Sequence, residues 1–165
     1  MNILVLCTGN SARSILAEAI LSRLGGEKLN AYSAGSNPVG AVNPVALKLL
    51  ETEGYDVGDF RSKSWDEFSG SDAPDLDIVV TVCGNAAGEA CPIWTGAPIT
   101  VHWGFPDPAS VSGTNREKLA AFQLVYQALV KNIEAFLALD LVGSKPEDLR
   151  RKMIEIHALN ETVTF

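Results

Sequence analysis

Cysteine and basic residues are both scarce in this sequence. Its 165 residues include three cysteines, an odd number that does not suggest a disulfide framework. Only 13 Lys and Arg stand against 20 Asp and Glu, and the net charge of −7 argues against nucleic acid or an anionic membrane surface as a partner. No apolar run is long enough to span a bilayer, and residues 1–7 lack the basic start and the cleavage site of a signal peptide, so we expect neither feature. We therefore expect a cytoplasmic, monomeric protein with reduced thiols.

Strand-like and helical segments alternate along the whole chain. An apolar content of 47% and a charged content of 20% are ordinary for a globular protein, and the length fits one domain over residues 1–165. The hydrophobic patterns predict strands at 1–7, 29–36, 76–83 and 97–103, and helices at 14–26, 42–57, 114–139 and 145–159. This alternation predicts an α/β fold, with a four-stranded parallel sheet covered by helices on both faces.

Two of the three cysteines end predicted strands. Cys7 closes the first strand and Cys83 closes the third. Ligands of open parallel sheets bind outside the carboxyl ends of the strands, where the strand order reverses. The sequence therefore links these two distant thiols to one edge of the predicted sheet.

The stretch CTGNSAR joins the first strand to the first helix. The five residues between Cys7 and Arg13 can wrap into a semicircle whose backbone N–H groups form an oxyanion nest at a helix N-terminus. Such a wrap needs residues that tolerate a positive φ, and Arg13 can pair with two oxygens of a tetrahedral anion. We expect a lowered pKa at Cys7, the candidate nucleophile. The candidate anion-binding residues are Thr8, Gly9, Asn10, Ser11, Ala12, Arg13 and Ser14.

Two details of this stretch are predicted more closely. Gly9 and Asn10 are the residue types that tolerate the positive φ of a tight wrap. The Ser14 hydroxyl is well placed to donate a hydrogen bond to the sulfur of Cys7. The alternative is a purely structural role, with Cys7 as a buried apolar residue and Arg13 as a surface charge. The strand before the stretch and the helix after it favour the anion site.

Asp107 lies between two prolines in the stretch HWGFPDPAS. Each proline fixes its own φ and restricts the residue before it, so the carboxylate is held in a fixed direction. Chemistry at a phosphate-like centre needs a proton donor for the departing oxygen. An aspartate in this context can also simply cap a turn, and the residues alone leave both roles open.

These motifs resemble those of one family. CTGNSARS, YSAGS, the strand ending at Cys83 and HWGFPDP are similar, in this order, to the low-molecular-weight protein tyrosine phosphatases and the arsenate reductases built on the same fold. The resemblance implies that Cys7 attacks an oxyanion held by residues 8–13 and that Asp107 is the general acid. Phosphatases of this fold usually carry aromatic residues after the Asp-Pro pair, whereas Ala109, Ser110 and Val111 follow here, as expected for a small inorganic anion.

Cys83 and Cys91 decide between the two branches of the family. A phosphatase needs one cysteine. In the thioredoxin-linked arsenate reductases a second cysteine attacks the arseno-cysteine, and a third relays the disulfide. VCGNAAGEACPIW resembles that pair, which implies that Cys83 displaces arsenite and that Cys91 completes a Cys83–Cys91 disulfide. From the residues alone, both thiols could instead be inert core groups, and a zinc site stays open although the close C-x2-C pairing is missing.

The resemblance implies an arsenate reductase for arsenic detoxification, an oxidoreductase with a P-loop and a redox-active disulfide. It has no tightly bound cofactor, and its partners are arsenate, with phosphate or sulfate as mimics, and an external thiol reductant, either thioredoxin or glutaredoxin with glutathione. The alternatives are a tyrosine or phosphomonoester phosphatase and a non-catalytic, redox-sensitive oxyanion-binding protein. Some reductases of the family also hold a potassium ion near the loop, and Asn10, Glu18 and Ser33 match three of its ligands.

Overall fold

The chain folds around a parallel four-stranded sheet. We describe residues 1–84, 94, 96, 98–160 and 163–165 of a computed structural model. The strands are β1 (Asn2–Cys7), β2 (Asn30–Gly35), β3 (Ile78–Thr81) and β4 (Ile99–His102), in the order β2-β1-β3-β4. Within the described residues the α-helices are α1 (Arg13–Gly25), α2 (Pro44–Thr52), α3 (Asn115–Leu137) and α4 (Pro146–Asn160). The predicted α/β fold is confirmed.

The register of the sheet brings the strand ends to one edge. Cys7 pairs with Gly35 at the end of β2, and Thr81 at the end of β3 pairs with His102. All three ladders are parallel, so their carboxyl ends face the same way. β1 lies between β2 and β3, and the chain order reverses at β1. Cys7 therefore lies at the point where ligands of such sheets bind.

Each face of the sheet has its own layer of apolar side chains. Along β1, Ile3 and Val5 face the main core, to which all four α-helices contribute, whereas Leu4 and Leu6 face the other side. There they pack in a smaller cluster with Phe68, which belongs to a short 3-10 helix at Trp65–Phe68. This alternation is the period-2 pattern of a strand buried on both faces. Among the described residues, the α-helices all pack in the main core, and the helical cover of the second face is this 3-10 helix, whereas the sequence predicted helices on both faces.

Local signals set the ends of the helices. Asn43 caps α2 by accepting from the Val45 N–H at 2.9 Å, and Pro44 takes the first helical position. The predicted segment 42–57 is shorter in the structure, because α2 stops at Thr52 and Gly54 follows with φ of 78°. In the part of the chain that the structure describes, no helix is both long enough and apolar enough to cross a membrane.

Candidate active site

The segments after β1, β3 and β4 meet in one pocket at the carboxyl edge of the sheet. The pocket encloses about 420 Å³ and is lined by Cys7, Arg13, Cys83 and Asp107 among the described residues. The fold thus brings together four of the five residues predicted to be catalytic. The fifth, Cys91, lies outside the described residues.

Residues 8–13, which we call the anion loop, turn their carbonyl groups towards segment 37–43. The Thr8 carbonyl accepts from the Asn37 N–H at 2.9 Å, and the Gly9 carbonyl accepts from the Val39 N–H at 3.1 Å. The Ser11 carbonyl accepts from the Asn43 N–H at 2.8 Å. A trans peptide directs its N–H opposite to its C=O, so the next N–H groups along the chain face away from that segment. One of them, the Gly9 N–H, donates to the Cys7 sulfur. The loop therefore presents backbone donors around the thiol, as an anion nest does.

Asn10 fixes the shape of the anion loop. It has φ of 43° and a fully buried side chain. Its Nδ2 donates to Ser14 Oγ at 3.0 Å and to Ser33 Oγ at 2.8 Å, and its Oδ1 accepts from the Lys63 N–H at 2.8 Å. The positive φ that the tight wrap requires is therefore confirmed, and of the two residue types that tolerate it Asn10 adopts it and Gly9 does not. One left-handed residue, held by three side-chain bonds, is enough for the turn.

Ser14 has a different contact from the one predicted. Its hydroxyl is fully buried, and its oxygen accepts the hydrogen bond from Asn10 Nδ2. Among the contacts of the described residues there is no hydrogen bond from Ser14 to the Cys7 sulfur. The predicted bond to the thiol was therefore wrong for this state, and Ser14 acts on the anion loop by holding Asn10.

Arg13 opens α1 and reaches across the pocket to the segment after β4. Its Nη1 donates to the Phe105 carbonyl at 2.8 Å, and its Nη2 lies 3.4 Å from Asp107 Oδ1. Its Nε is buried and has no partner among the described residues. A buried guanidinium N–H without a partner costs free energy, so this donor is available to an anion in the pocket. The contacts of Nη1 and Nη2 hold the guanidinium in place, and the Nε N–H remains to bind an anion.

Cys7 and Cys83 form a buried pair of thiols. They are 6% and 4% exposed, both are present as thiols, and they lie close enough for Cys83 to shift the pKa of Cys7. Thr8 Oγ1 lies 3.5 Å from Cys83 Sγ. The carboxyl ends of the adjacent strands β1 and β3 thus bring together two sulfur atoms that are far apart in sequence.

The thiol pair reverses the expected charge behaviour of Cys7. The hydrogen bond with Cys83, burial and Coulomb repulsion from Cys83 raise the pKa of the Cys7 thiol, whereas Arg13 and the Gly9 N–H act in the opposite direction. The predicted lowering of this pKa was therefore wrong for the pair of thiols, because two adjacent buried sulfurs do not both ionise readily. Gly9 and Arg13, which lower the pKa of Cys7, are near it in the sequence, but the sequence does not show how close Cys83 lies.

Asp107 both caps a turn and lines the pocket. Its Oδ1 accepts from the Ala109 N–H at 3.2 Å and so caps the short 3-10 helix Pro108–Ser110. The same oxygen lies 3.4 Å from Arg13 Nη2, and the side chain remains 42% exposed. A carboxyl group that is directed by its cap, lines the pocket and stays accessible to water is suited to exchanging a proton with an oxygen in the pocket.

The residues predicted to lie near a potassium ion come together, but around a lysine. Ser33 Oγ donates to Glu18 Oε2 at 2.5 Å and accepts from Asn10 Nδ2. The Lys63 Nζ lies 3.5 Å from Glu18 Oε2 and 3.5 Å from Ser33 Oγ. An ammonium group therefore uses the oxygen atoms that would bind a metal ion. With Lys63 in place, these residues do not fit a potassium ion.

Two contributors to the site were missed by sequence reasoning. The Phe105 carbonyl anchors Arg13, and Lys63 holds Asn10 through its backbone and Glu18 through its side chain. A backbone carbonyl gives no signal in a sequence. Lys63 lies in the stretch RSKS, where a lysine is usually a solvated surface residue, so neither contact could be read from local patterns.

The comparisons with known proteins agree with this geometry. The model of the family "Low molecular weight phosphotyrosine protein phosphatase" matches residues 2–153. An arsenate reductase of Halalkalibacterium halodurans is 41% identical over 131 residues, which cover 79% of this chain and 91% of that protein.

Solved structures extend the likeness to the backbone. A structure described as an arsenate reductase in the phosphate binding state has a TM-score of 0.64 at 25% identity, over 83% of this chain and 96% of that one. A thioredoxin-dependent arsenate reductase of Corynebacterium glutamicum has a TM-score of 0.54 at 25% identity, over 81% of this chain and 61% of that one. The chain belongs to the low molecular weight phosphotyrosine protein phosphatase family, and the relatives that it resembles here are arsenate reductases.

Proposed function

We propose that this chain is an arsenate reductase, which converts arsenate to arsenite with electrons from an external thiol reductant. The observation that carries the proposal is the pair of buried thiols, Cys7 and Cys83, in the pocket that also contains Arg13 and Asp107. A phosphatase of this fold needs one thiol, because water completes its reaction. A reductase needs a second thiol that can reach the first sulfur. The relatives named arsenate reductase support the same choice.

In the proposed first step Cys7 attacks the arsenic atom. The N–H groups of the anion loop and the spare Nε donor of Arg13 bind the arsenate oxygens. The Cys7 thiolate forms an S–As bond, one As–O bond breaks, and Asp107 gives the departing oxygen a proton so that it leaves as water. Arsenic remains at oxidation state V in this intermediate.

In the second step Cys83 attacks the Cys7 sulfur. An S–S bond forms, the S–As bond breaks, and its electron pair stays on arsenic, which leaves as arsenite at oxidation state III. Two thiols have then lost two electrons and arsenic has gained two. In the third step Cys91 attacks Cys83, which releases the Cys7 thiolate and leaves a Cys83–Cys91 disulfide. Thioredoxin reduces that disulfide, and glutaredoxin with glutathione is the alternative donor; the thioredoxin-dependent relative supports the first.

The experiment is arsenate-dependent NADPH consumption with thioredoxin and thioredoxin reductase. We expect turnover in the wild type, a single round at most in Cys91→Ser, and loss of arsenite release in Cys83→Ser, with arsenite measured directly. Ser69→Ala is the matched control, because its hydroxyl bonds only the Asp66 carbonyl among the described residues and does not line the pocket. Absence of turnover with both the thioredoxin and the glutaredoxin systems would contradict the proposal.

A phosphatase is the second candidate, and the family model that matches the chain favours it. It predicts hydrolysis of para-nitrophenyl phosphate that depends on Cys7 and survives Cys83→Ser and Cys91→Ser. The reductase proposal predicts a far lower specificity constant for this ester than for arsenate. The residue after Pro108 that lines the pocket is Ala109, which gives an aromatic ring little to pack against. A larger constant for the ester would favour the phosphatase.

A further inference from the structure

Lys63 is a buried cation next to the anion loop. Its side chain is 8% exposed, and that of its partner Glu18 is 13% exposed. Besides Glu18 Oε2, the Nζ lies 3.5 Å from Ser33 Oγ and 3.4 Å from the Arg61 carbonyl. Lysine is rarely buried to this degree, and a carboxylate, a hydroxyl and a carbonyl oxygen around its Nζ offset the loss of water.

The cluster is joined to the anion loop through Asn10. The Lys63 N–H donates to Asn10 Oδ1 at 2.8 Å, and Asn10 Nδ2 donates to Ser33 Oγ at 2.8 Å. Ser33 in turn donates to Glu18 at 2.5 Å. A hydroxyl has one donor and two acceptor positions, and Ser33 uses all three on Asn10, Glu18 and Lys63. Any movement of the ammonium therefore changes the groups that hold the left-handed residue of the loop.

Charge balance explains why a cation belongs here. Burial raises the pKa of Glu18, and the nearby Lys63 acts against that shift. Without a cation, Glu18 would be a buried carboxylate with only a hydroxyl donor, which is an expensive arrangement. A monovalent metal ion would offer the same charge to the same oxygen atoms, but it would have to be bound from solution. A lysine is attached to the chain and needs no such equilibrium.

We propose that the Lys63 ammonium serves as the built-in cation of this site, so that the anion loop is held in its binding shape without potassium. The residues that resemble potassium ligands in related reductases are satisfied here by the protein itself. Lys63 is a positioning residue, since it contacts Asn10 and not the anion. Binding of any tetrahedral oxyanion tests this inference. It therefore rests on the proposed function only where arsenate turnover is measured.

The experiment measures sulfate affinity by calorimetry in potassium chloride and in choline chloride of equal ionic strength. We expect equal wild-type affinities in both salts. Lys63→Met should bind sulfate about tenfold more weakly in both, because a methionine fills the space without charge. Lys63→Ala should bind weakly in choline and recover several-fold in potassium, because the ion can enter the vacated space. Lys48→Met, at an exposed lysine of α2, is the matched control and should behave as wild type.

A second variant covers the case in which a lone substitution unfolds the protein. Glu18→Gln combined with Lys63→Met leaves no unpaired buried charge, so it should fold while still binding sulfate weakly in both salts. The proposal is overturned if potassium strengthens wild-type binding several-fold, if Lys63→Met or the double variant keeps wild-type affinity, or if Lys63→Ala gains nothing from potassium. A wild type that binds sulfate as expected but does not turn over arsenate would contradict the proposed function and leave this inference standing.

Discussion

Gly35 is where β2 lies closest to the anion loop. A Cβ atom added there would lie 2.4 Å from the Thr8 carbonyl oxygen and 3.1 Å from the Asn10 nitrogen. Real Cβ atoms do not approach other atoms within 3.0 Å, so strand and loop would have to separate by at least about 0.6 Å. β2 cannot withdraw freely, because Gly35 pairs with Cys7 and its N–H donates to the Lys63 carbonyl at 2.9 Å. The anion loop must therefore move.

We expect Gly35→Ala to weaken both stability and anion binding. Overpacking of this kind costs about 1–3 kcal/mol, which lowers the midpoint of thermal unfolding by about 2–12 °C for a chain of this size. A shift of this size in the loop should reduce sulfate affinity and arsenate turnover by about tenfold or more. Differential scanning fluorimetry, sulfate calorimetry and the NADPH assay measure the three effects.

The control is Gly70→Ala, where an added Cβ would meet no atom within 4 Å and φ is not in the left-handed region. It should leave the unfolding midpoint and the sulfate affinity close to wild type. If Gly35→Ala behaved as the control does, with affinity within about twofold of wild type, the inferred close packing of the loop on β2 would be refuted.

Three further predictions follow from the thiol pair and from the residues around it. Cys83→Ala removes the hydrogen bond and the repulsion that raise the pKa of Cys7, so alkylation of Cys7 should reach its half-maximal rate at a lower pH; an unchanged profile would contradict the pairing. Arg13→Lys keeps the charge but not the fork of donors, and calorimetry should show sulfate bound about 10²-fold more weakly. Asn10→Ala loses three side-chain bonds at φ of 43°, and urea denaturation should give a loss of about 2–4 kcal/mol.

The fold was predictable because its signals are local. The strands and helices follow hydrophobic periods, and caps such as Asn43 lie within a few residues of the helix that they end. The differences fall at the ends of elements, where tertiary pairing decides. The strand predicted to reach Cys83 ends at Thr81, because pairing with β4 stops at His102, although the Val82 N–H still donates to the Leu6 carbonyl at 2.9 Å.

The site was predictable only where its chemistry lies in one stretch of sequence. Cys7 and Arg13 are six positions apart, so the loop between them and its helix can be derived from residue types. The anchoring of Arg13 by the Phe105 carbonyl and the burial of Lys63 depend on contacts between segments far apart in sequence. Asp107 shows the same limit: its cap to Ala109 is local, but its ion pair with Arg13 crosses the pocket.

The raised pKa of Cys7 has a consequence for the order of the proposed reaction. Repulsion between the two sulfurs is mutual, so the pair carries one negative charge far more readily than two. Attack on arsenic requires Cys7 to lose its proton, and the repulsion then keeps Cys83 protonated. Once Cys7 is bonded to arsenic, its sulfur no longer carries that charge, and ionisation of Cys83 becomes easier. The contact that raises the pKa of Cys7 thus delays the attack by Cys83 until Cys7 is bonded to arsenic. The same contact holds the two sulfur atoms within reach of one another.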